Sequence, residues 1–249
     1  MPVEFKIVIP ARYGATRLSG KPLRKIQNKS MIQWVYEAAT SSVAEQVIVA
    51  TDDSRIADVV TDFGGKVCIT SSSHQTGSDR LVEVIEQLNW SDDTVIVNLQ
   101  RDEPLMPSAN MTQVARNLQV SNCHMATLHK TINHEHALDP NIVKLIYDYR
   151  NRAIYFSRSP IPYDRESSNE PYYGHIGIYA YRAAFLKTFT RLPVCELETR
   201  EKLEQLRSLW HGYSIHTELA AELPGPGVDT EQDLLAVQQI LEKRSQSNK

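Results

Sequence analysis

The chain has 249 residues, 41% of them hydrophobic, with a formal net charge of −3. That length holds one large α/β domain or two small ones, with enough apolar side chains for a sizeable core. No segment gathers Lys and Arg into the basic face a duplex binder needs, so polymeric nucleic acid is not an expected partner. An anionic ligand must instead be met by a few placed cations.

Taken in chain order, residues 7–9 form a short apolar strand ending at Pro10. A helix follows Ser30, with Ile32, Val35, Tyr36 and Ala39 at helical spacing on one face. Residues 47–50 are the next strand. Asp53 then N-caps a helix that buries Ile56, Val59, Val60 and Phe63 and stops at Gly64 and Gly65. Residues 67–69 form a strand. Leu81, Val84, Ile85 and Leu88 mark a third helix with Ser78 as its expected N-cap, and residues 95–99 another strand. Short, nearly unbroken apolar strands separated by amphipathic helices predict a parallel sheet covered on both faces.

The second half is less regular. A helix is expected over 111–118, a strand over 125–132, a hairpin over 142–147 and 153–156, and an alternating strand over 175–181. Helices follow over 183–189 and 198–210. After the break at 224–227, Thr230 and Asp233 open a last helix carrying Leu234, Leu235, Val237 and Ile240. The expected fold is an α/β, doubly wound, mostly parallel sheet with a smaller mixed or antiparallel lobe, all within one domain spanning 1–249.

The three cysteines, Cys68, Cys123 and Cys195, are far apart and odd in number, so reduced thiols are expected rather than a disulfide framework. The opening apolar stretch is too short for a signal peptide. Nothing approaches the roughly 20 apolar residues that span a bilayer, and a cytoplasmic location is expected.

Ligands of doubly wound sheets bind beyond the carboxyl ends of the strands. The loop there, residues 10–22, carries Arg12, Arg17 and Lys21 with Gly14 and Gly20. Several fixed cations on a turn with exposed N–H groups suit a triphosphate. The same composition also fits a solvated basic loop. It lacks the GxxxxGK[ST] spacing of a P-loop and the dinucleotide GxGxxG. Asp102 lies just past the 95–99 strand and Asp229 in the turn before the last helix. Singly, each fits a turn or cap carboxylate; together they suit Mg²⁺, which takes one or two carboxylates and completes its shell with water and phosphate oxygens. His134 and His136 lack HExxH spacing and are expected to be loop residues.

Residues 10–22 resemble the signature loop of the sugar-activating cytidylyltransferases, most tightly those acting on 3-deoxy-manno-octulosonate (Kdo). The resemblance continues through Ala50, Thr51, Asp52 and Asp53, then at 74–80, 97–104, 155–162, 175–182, 203–207 and 226–233, in order. It implies transfer of CMP from CTP to the anomeric hydroxyl of Kdo, releasing pyrophosphate, to activate the sugar for lipopolysaccharide synthesis. It implies Mg²⁺ on Asp102 and Asp229, with Arg12 and Lys21 joining them in catalysis. The nucleotide would meet Arg12, Arg17, Lys21, Gln75, Ser78 and Arg80. The acidic eight-carbon sugar would meet Gln100, Arg158, His175, Glu204 and Gln205. Without the resemblance, Arg158 could be a surface ion pair, His175 a core histidine and Glu204 a solvated helix residue. Residues 1–105 would be the nucleotide-binding half and 106–249 the sugar-binding and dimerisation half of a homodimer.

The chain departs from the family pattern at three places. Arg101 stands where glycine separates the glutamine and the aspartate, Gly174 where arginine precedes the histidine, and Ser19 where proline is usual. Were the backbone at 101 to need positive φ, arginine would be strained there by on the order of 1 kcal/mol. The departures at 101 and 174 open two alternatives: an 8-amino-Kdo or other 2-keto acid sugar as acceptor, or a nucleotide-binding homologue of low activity.

Overall fold

The computed structural model describes residues 3–14, 18–166 and 170–247. In chain order the first half runs β1 (Lys6–Ala11), a 3-10 turn (Lys21–Leu23), β2 (Lys25–Ile26), β3 (Lys29–Ser30), α1 (Met31–Thr40), β4 (Gln46–Thr51), α2 (Ser54–Asp62), β5 (Val67–Ile69), α3 (Gly77–Gln87) and β6 (Val95–Asn98). The second half continues with α4 (Ser108–Val120), β7 (Met125–Ile132), α5 (His134–Leu138), β8 (Lys144–Tyr147), β9 (Ala153–Ser157) and β10 (Tyr172–Arg182). It closes with α6 (Ala183–Phe189), α7 (Glu196–Glu201), α8 (Leu206–Trp210), β11 (Ile215–Leu219) and α9 (Glu231–Ser247).

The central sheet has the order β11-β7-β10-β6-β1-β4-β5, with the β8–β9 hairpin attached to β10. β1 pairs parallel with both β4 and β6, and β4 parallel with β5. β10 enters antiparallel between β6 and β7, and β8 and β9 pair antiparallel. The expected parallel half and mixed lobe are thus one continuous sheet. Its first half explains itself locally. Ile7 and Ile9 point into a core shared with α1, α2 and α4, while Val8 points into a second core shared with α3, α6 and α8. Alternate residues of an apolar strand feed opposite faces, so an unbroken apolar run is what two helical layers demand. Each fully buried Val or Ile contributes roughly 1.5–3 kcal/mol.

Several local expectations are corrected. Thr76, not Ser78, caps α3, through a reciprocal box with Asp79. The helix expected over 198–210 is two, because Lys202 at the end of α7 takes a left-handed φ of 54°. His134 and His136 lie on the short helix α5, capped by Asn133, rather than on a loop. The strand β11 and the β2–β3 hairpin were not expected at all.

A third apolar cluster matters most for the site. Leu234, Val237 and Leu241 of α9 pack on Leu18, Ile26, Met31, Leu105 and Val228. The last helix thereby clamps the loops that follow β1 and β6. Among the described residues, no helix is long and apolar enough to cross a membrane.

Candidate active site

From β1 the chain proceeds to β4 and β5 on one side and then returns to place β6 on β1's other side. That reversal leaves a crevice beyond the ends of β1 and β6, the usual ligand position in such sheets. A cleft of about 610 Å³ opens there. Pro10, Ala11 and Arg12 line it from the end of β1, and Gln100 and Arg101 from the end of β6. His74, Gln75, Thr76, Gly77 and Arg80 line it from the start of α3. Val194, Glu198, Thr199, Lys202 and Glu204 close the far wall.

The start of α3 presents its positive end to the cleft, a ready partner for anions. A Cβ on Gly77 would sit 3.3 Å from Cγ of Pro10, so a small residue lets the helix close on β1. Arg80 is buried and already engaged: it donates to Oγ1 of Thr70 at 2.6 Å and pairs with Asp52 at 3.4 Å. Gln75 donates to the Ser73 carbonyl at 3.0 Å. Ser78 lies behind the cleft wall and donates to Oε2 of Glu204 at 3.0 Å. The other carboxylate oxygen of Glu204 is buried with no hydrogen-bond partner, 3.7 Å from Nη2 of Arg207. Burial raises the Glu204 carboxyl above its ordinary range, partly offset by Ser78 and Arg207.

Lys21 is buried, and Nζ reaches Oδ2 of Asp102 at 2.7 Å and Oδ1 of Asp229 at 2.8 Å. Lys21 of the cationic loop and both carboxylates expected to act together are therefore one cluster. The sequence builds each arm. Gly20 takes φ 63° to turn the chain into the Lys21 segment, a backbone conformation that favours glycine, and a Cβ there would press on the Tyr13 hydroxyl at 3.1 Å. Gly14 shows neither constraint. Val228 N–H donates to the Asp102 carbonyl at 2.9 Å. A Cβ on Gly225 would sit 2.6 Å from Cδ1 of Leu105, so this segment lies hard against the loop carrying Asp102. Asp233 accepts from the N–H groups of Asp229 and Thr230, fixing Asp229 at the start of α9. Burial and the neighbouring Asp102 charge push the Glu103 carboxyl up to about 8.

Two carboxylates already converging on one cation, beside an arginine-lined cleft, fit the donor set Mg²⁺ takes when phosphate and water complete its shell. Among the described residues, no group of three or more His, Cys, Asp or Glu side chains forms a metal cage by itself.

Other expected residues lie elsewhere. Arg158 is not on the cleft wall; its Nε donates to the Glu201 carbonyl at 2.7 Å and its Nη1 to the Pro140 carbonyl at 2.8 Å. His175 packs between Phe156 and Tyr179, with Nε2 3.0 Å from Oγ1 of Thr127. Gln205 is buried, and its amide nitrogen has no partner. Arg17 lies outside the described residues. Sequence reasoning missed Glu198, Thr199 and Lys202, because the wall they form exists only where α7 breaks. Arg207 holds Glu198 there at 2.8 Å across nine residues, a spacing no helical pattern reveals.

The departures from the family pattern also resolve physically. Arg101 is not among the residues with positive φ, so arginine incurs no backbone strain there. Asp102 pairs with Lys21 rather than with Arg101. At position 174 a Cβ would lie 3.0 Å from Cγ2 of Ile132 and 3.4 Å from Cγ2 of Ile142. Those isoleucines occupy the space a longer side chain would need.

A family model described as Cytidylyltransferase matches residues 6–215. The 3-deoxy-manno-octulosonate cytidylyltransferase of Vibrio vulnificus (strain YJ016) is 49% identical, covering 98% of this chain and 100% of that protein. The chain belongs to the cytidylyltransferase family. The enzyme of the same name from Aliivibrio fischeri (strain MJ11) is 50% identical over 97% of this chain and 100% of its own. A solved structure of CMP:2-keto-3-deoxy-manno-octonic acid synthetase complexed with CTP superposes with a TM-score of 0.91 at 42% identity, covering 97% of this chain and 99% of that one. A cytidylyltransferase from Leptospira borgpetersenii shares the fold, with a TM-score of 0.63 at 14% identity. The match to that CTP-complexed synthetase covers 97% of this chain, more than the 6–215 region of the family model.

Proposed function

We propose that this cytidylyltransferase transfers CMP from CTP to the anomeric hydroxyl of 3-deoxy-manno-octulosonate. The hydroxyl oxygen bonds to the α-phosphorus, the bond between that phosphorus and the α,β-bridging oxygen breaks, and pyrophosphate leaves as the hydroxyl proton is lost. The observation that carries this reading is the Lys21 bridge between Asp102 and Asp229, with Asp102 next in the chain to Arg101 of the arginine-lined cleft. The near-complete identity of extent with Kdo-activating relatives supplies the acceptor.

In this reading Arg12 and Lys21 neutralise the triphosphate and steady the departing pyrophosphate. Asp102 and Asp229 hold Mg²⁺, which when bound offsets charge on the phosphoryl oxygens. Gln75 and the start of α3 meet the nucleoside end, while Arg80 and Ser78, both buried, set the shape of that wall. Gln100, Glu204 and Gln205 serve the sugar hydroxyls. Arg158 and His175 support the sugar lobe from behind α7 and on β10. A homodimer working in the cytoplasm completes the reading, on the family resemblance.

The test is pyrophosphate release from CTP with Kdo as acceptor, with Mg²⁺ present and absent. Release that requires both Kdo and Mg²⁺ supports the proposal; no release from the folded protein with Kdo rejects it. Light scattering checks the dimer separately.

A further inference from the structure

The guanidinium of Arg101 is the feature the proposed chemistry leaves unused. It lines the same cleft as Arg12 and Arg80, and its Nε is buried with no hydrogen-bond partner. A buried guanidinium N–H left unpaired is costly, more so than a neutral donor. The obvious protein partners are committed elsewhere. Asp102 is taken by Lys21; Glu198, across the cleft, by Arg207; and Glu204 by Ser78 and, at 3.7 Å, by Arg207. Arg80 is itself consumed by Thr70 and Asp52, so it adds charge without a free fork to offer. Burial disfavours the charge on Arg101; Asp102 partly offsets that, and the like charge of Arg12 adds to it. An anion bound between the two arginines would remove both penalties at once.

We infer that Arg101 is an additional polyphosphate ligand of this enzyme, donating to a phosphoryl oxygen of CTP beside Arg12. This rests on reading the cleft as the CTP site. The phosphates are favoured over the sugar acid because Arg101 shares the cleft lining with Arg12 and Arg80 and immediately precedes Asp102, on the nucleotide and metal side. Arg101 is then a specificity residue for the length of the phosphate chain, binding CTP and not CMP.

The experiment compares wild type, R101G and R101K in calorimetric titrations with CTP, CMP and inorganic tripolyphosphate, without sugar. Losing one charge-assisted donor should weaken CTP and tripolyphosphate about tenfold or more in R101G, leave CMP unchanged, and cost less in R101K. Three results overturn the inference: equal CTP and tripolyphosphate affinity in wild type and R101G, a parallel loss of CTP and CMP, or no tripolyphosphate binding by wild type. A rise confined to KM for Kdo also overturns it and assigns Arg101 to the sugar acid. Turnover of wild type with CTP and Kdo is measured alongside. Its absence, with the tripolyphosphate difference intact, would reject the proposed reaction and keep the phosphate site.

Discussion

Lys21 Nζ lies 2.8 Å from Oδ1 of Asp229, although 208 positions separate the two in the chain. The same ammonium reaches Asp102 at 2.7 Å, so a lysine stands where the proposed reaction has two carboxylates grip a divalent cation. On that proposal Lys21 and Mg²⁺ compete for Asp102 and Asp229. In K21M the two carboxylates repel, and Mg²⁺ alone should raise the melting temperature more than it does in wild type. The triphosphate meanwhile loses a cation, so kcat/KM for CTP should fall on the order of a hundredfold. Differential scanning calorimetry across a Mg²⁺ series and steady-state kinetics check both halves. An Mg²⁺ response no larger in K21M than in wild type contradicts the competition.

Asp229 owes its position to the cap of α9, where Asp233 accepts from Asp229 N–H at 3.0 Å and Thr230 N–H at 2.8 Å. D233A should cost about 1 kcal/mol of stability, the usual worth of a cap. It should also raise the Mg²⁺ concentration for half-maximal rate. Loss of stability with an unchanged Mg²⁺ dependence would show that the cap does not position Asp229.

Glu204, at the cleft wall, has one buried carboxylate oxygen with no hydrogen bond, its other oxygen held by Ser78. E204Q keeps the shape but turns an acceptor into a donor. KM for Kdo should rise about tenfold with KM for CTP unchanged, the size of one charged hydrogen bond. Equal effects on both substrates would place Glu204 in the frame of the cleft rather than against the sugar.

Two histidines of the sugar lobe should make the protein acid-sensitive. Burial pushes His175 down to about 3, with His129 nearby adding to the effect, and pushes His129 down to about 4. As pH falls below about 6.5, the unfolded chain takes up protons that the folded chain refuses. Their contribution is thus complete above about pH 6.5 and lost progressively as pH falls toward their folded values. Urea midpoints measured from about pH 7.5 to about pH 5 should decline, and less steeply in H129N/H175N. An equally steep profile in the double variant would assign the acid sensitivity to other groups.

The parallel half was legible because each of its strands feeds two helical layers, so Ile7, Val8 and Ile9 must all be apolar. Local caps, Asp53 for α2 and the Thr230–Asp233 box for α9, were equally plain. The antiparallel side hid itself in polarity. β11 buries His216 and Thr217 beside the buried Thr127 and His129 of β7, so its sequence lacks the apolar run that announces a strand. The break after α7 could not be foreseen, since Lys202 is an ordinary helix former that here takes a left-handed turn. The same break makes the cleft wall of Glu198, Thr199 and Lys202. Asp102 and Asp229, by contrast, each occupied a loop that the strand and helix order had already singled out.

The central claim is tested most directly by Mg²⁺-dependent pyrophosphate release from CTP and Kdo in wild type, D102N and D229N, with folding verified for each. The account predicts robust release by wild type and a fall on the order of a hundredfold or more in either variant. Near-wild-type release by D102N or D229N would contradict it.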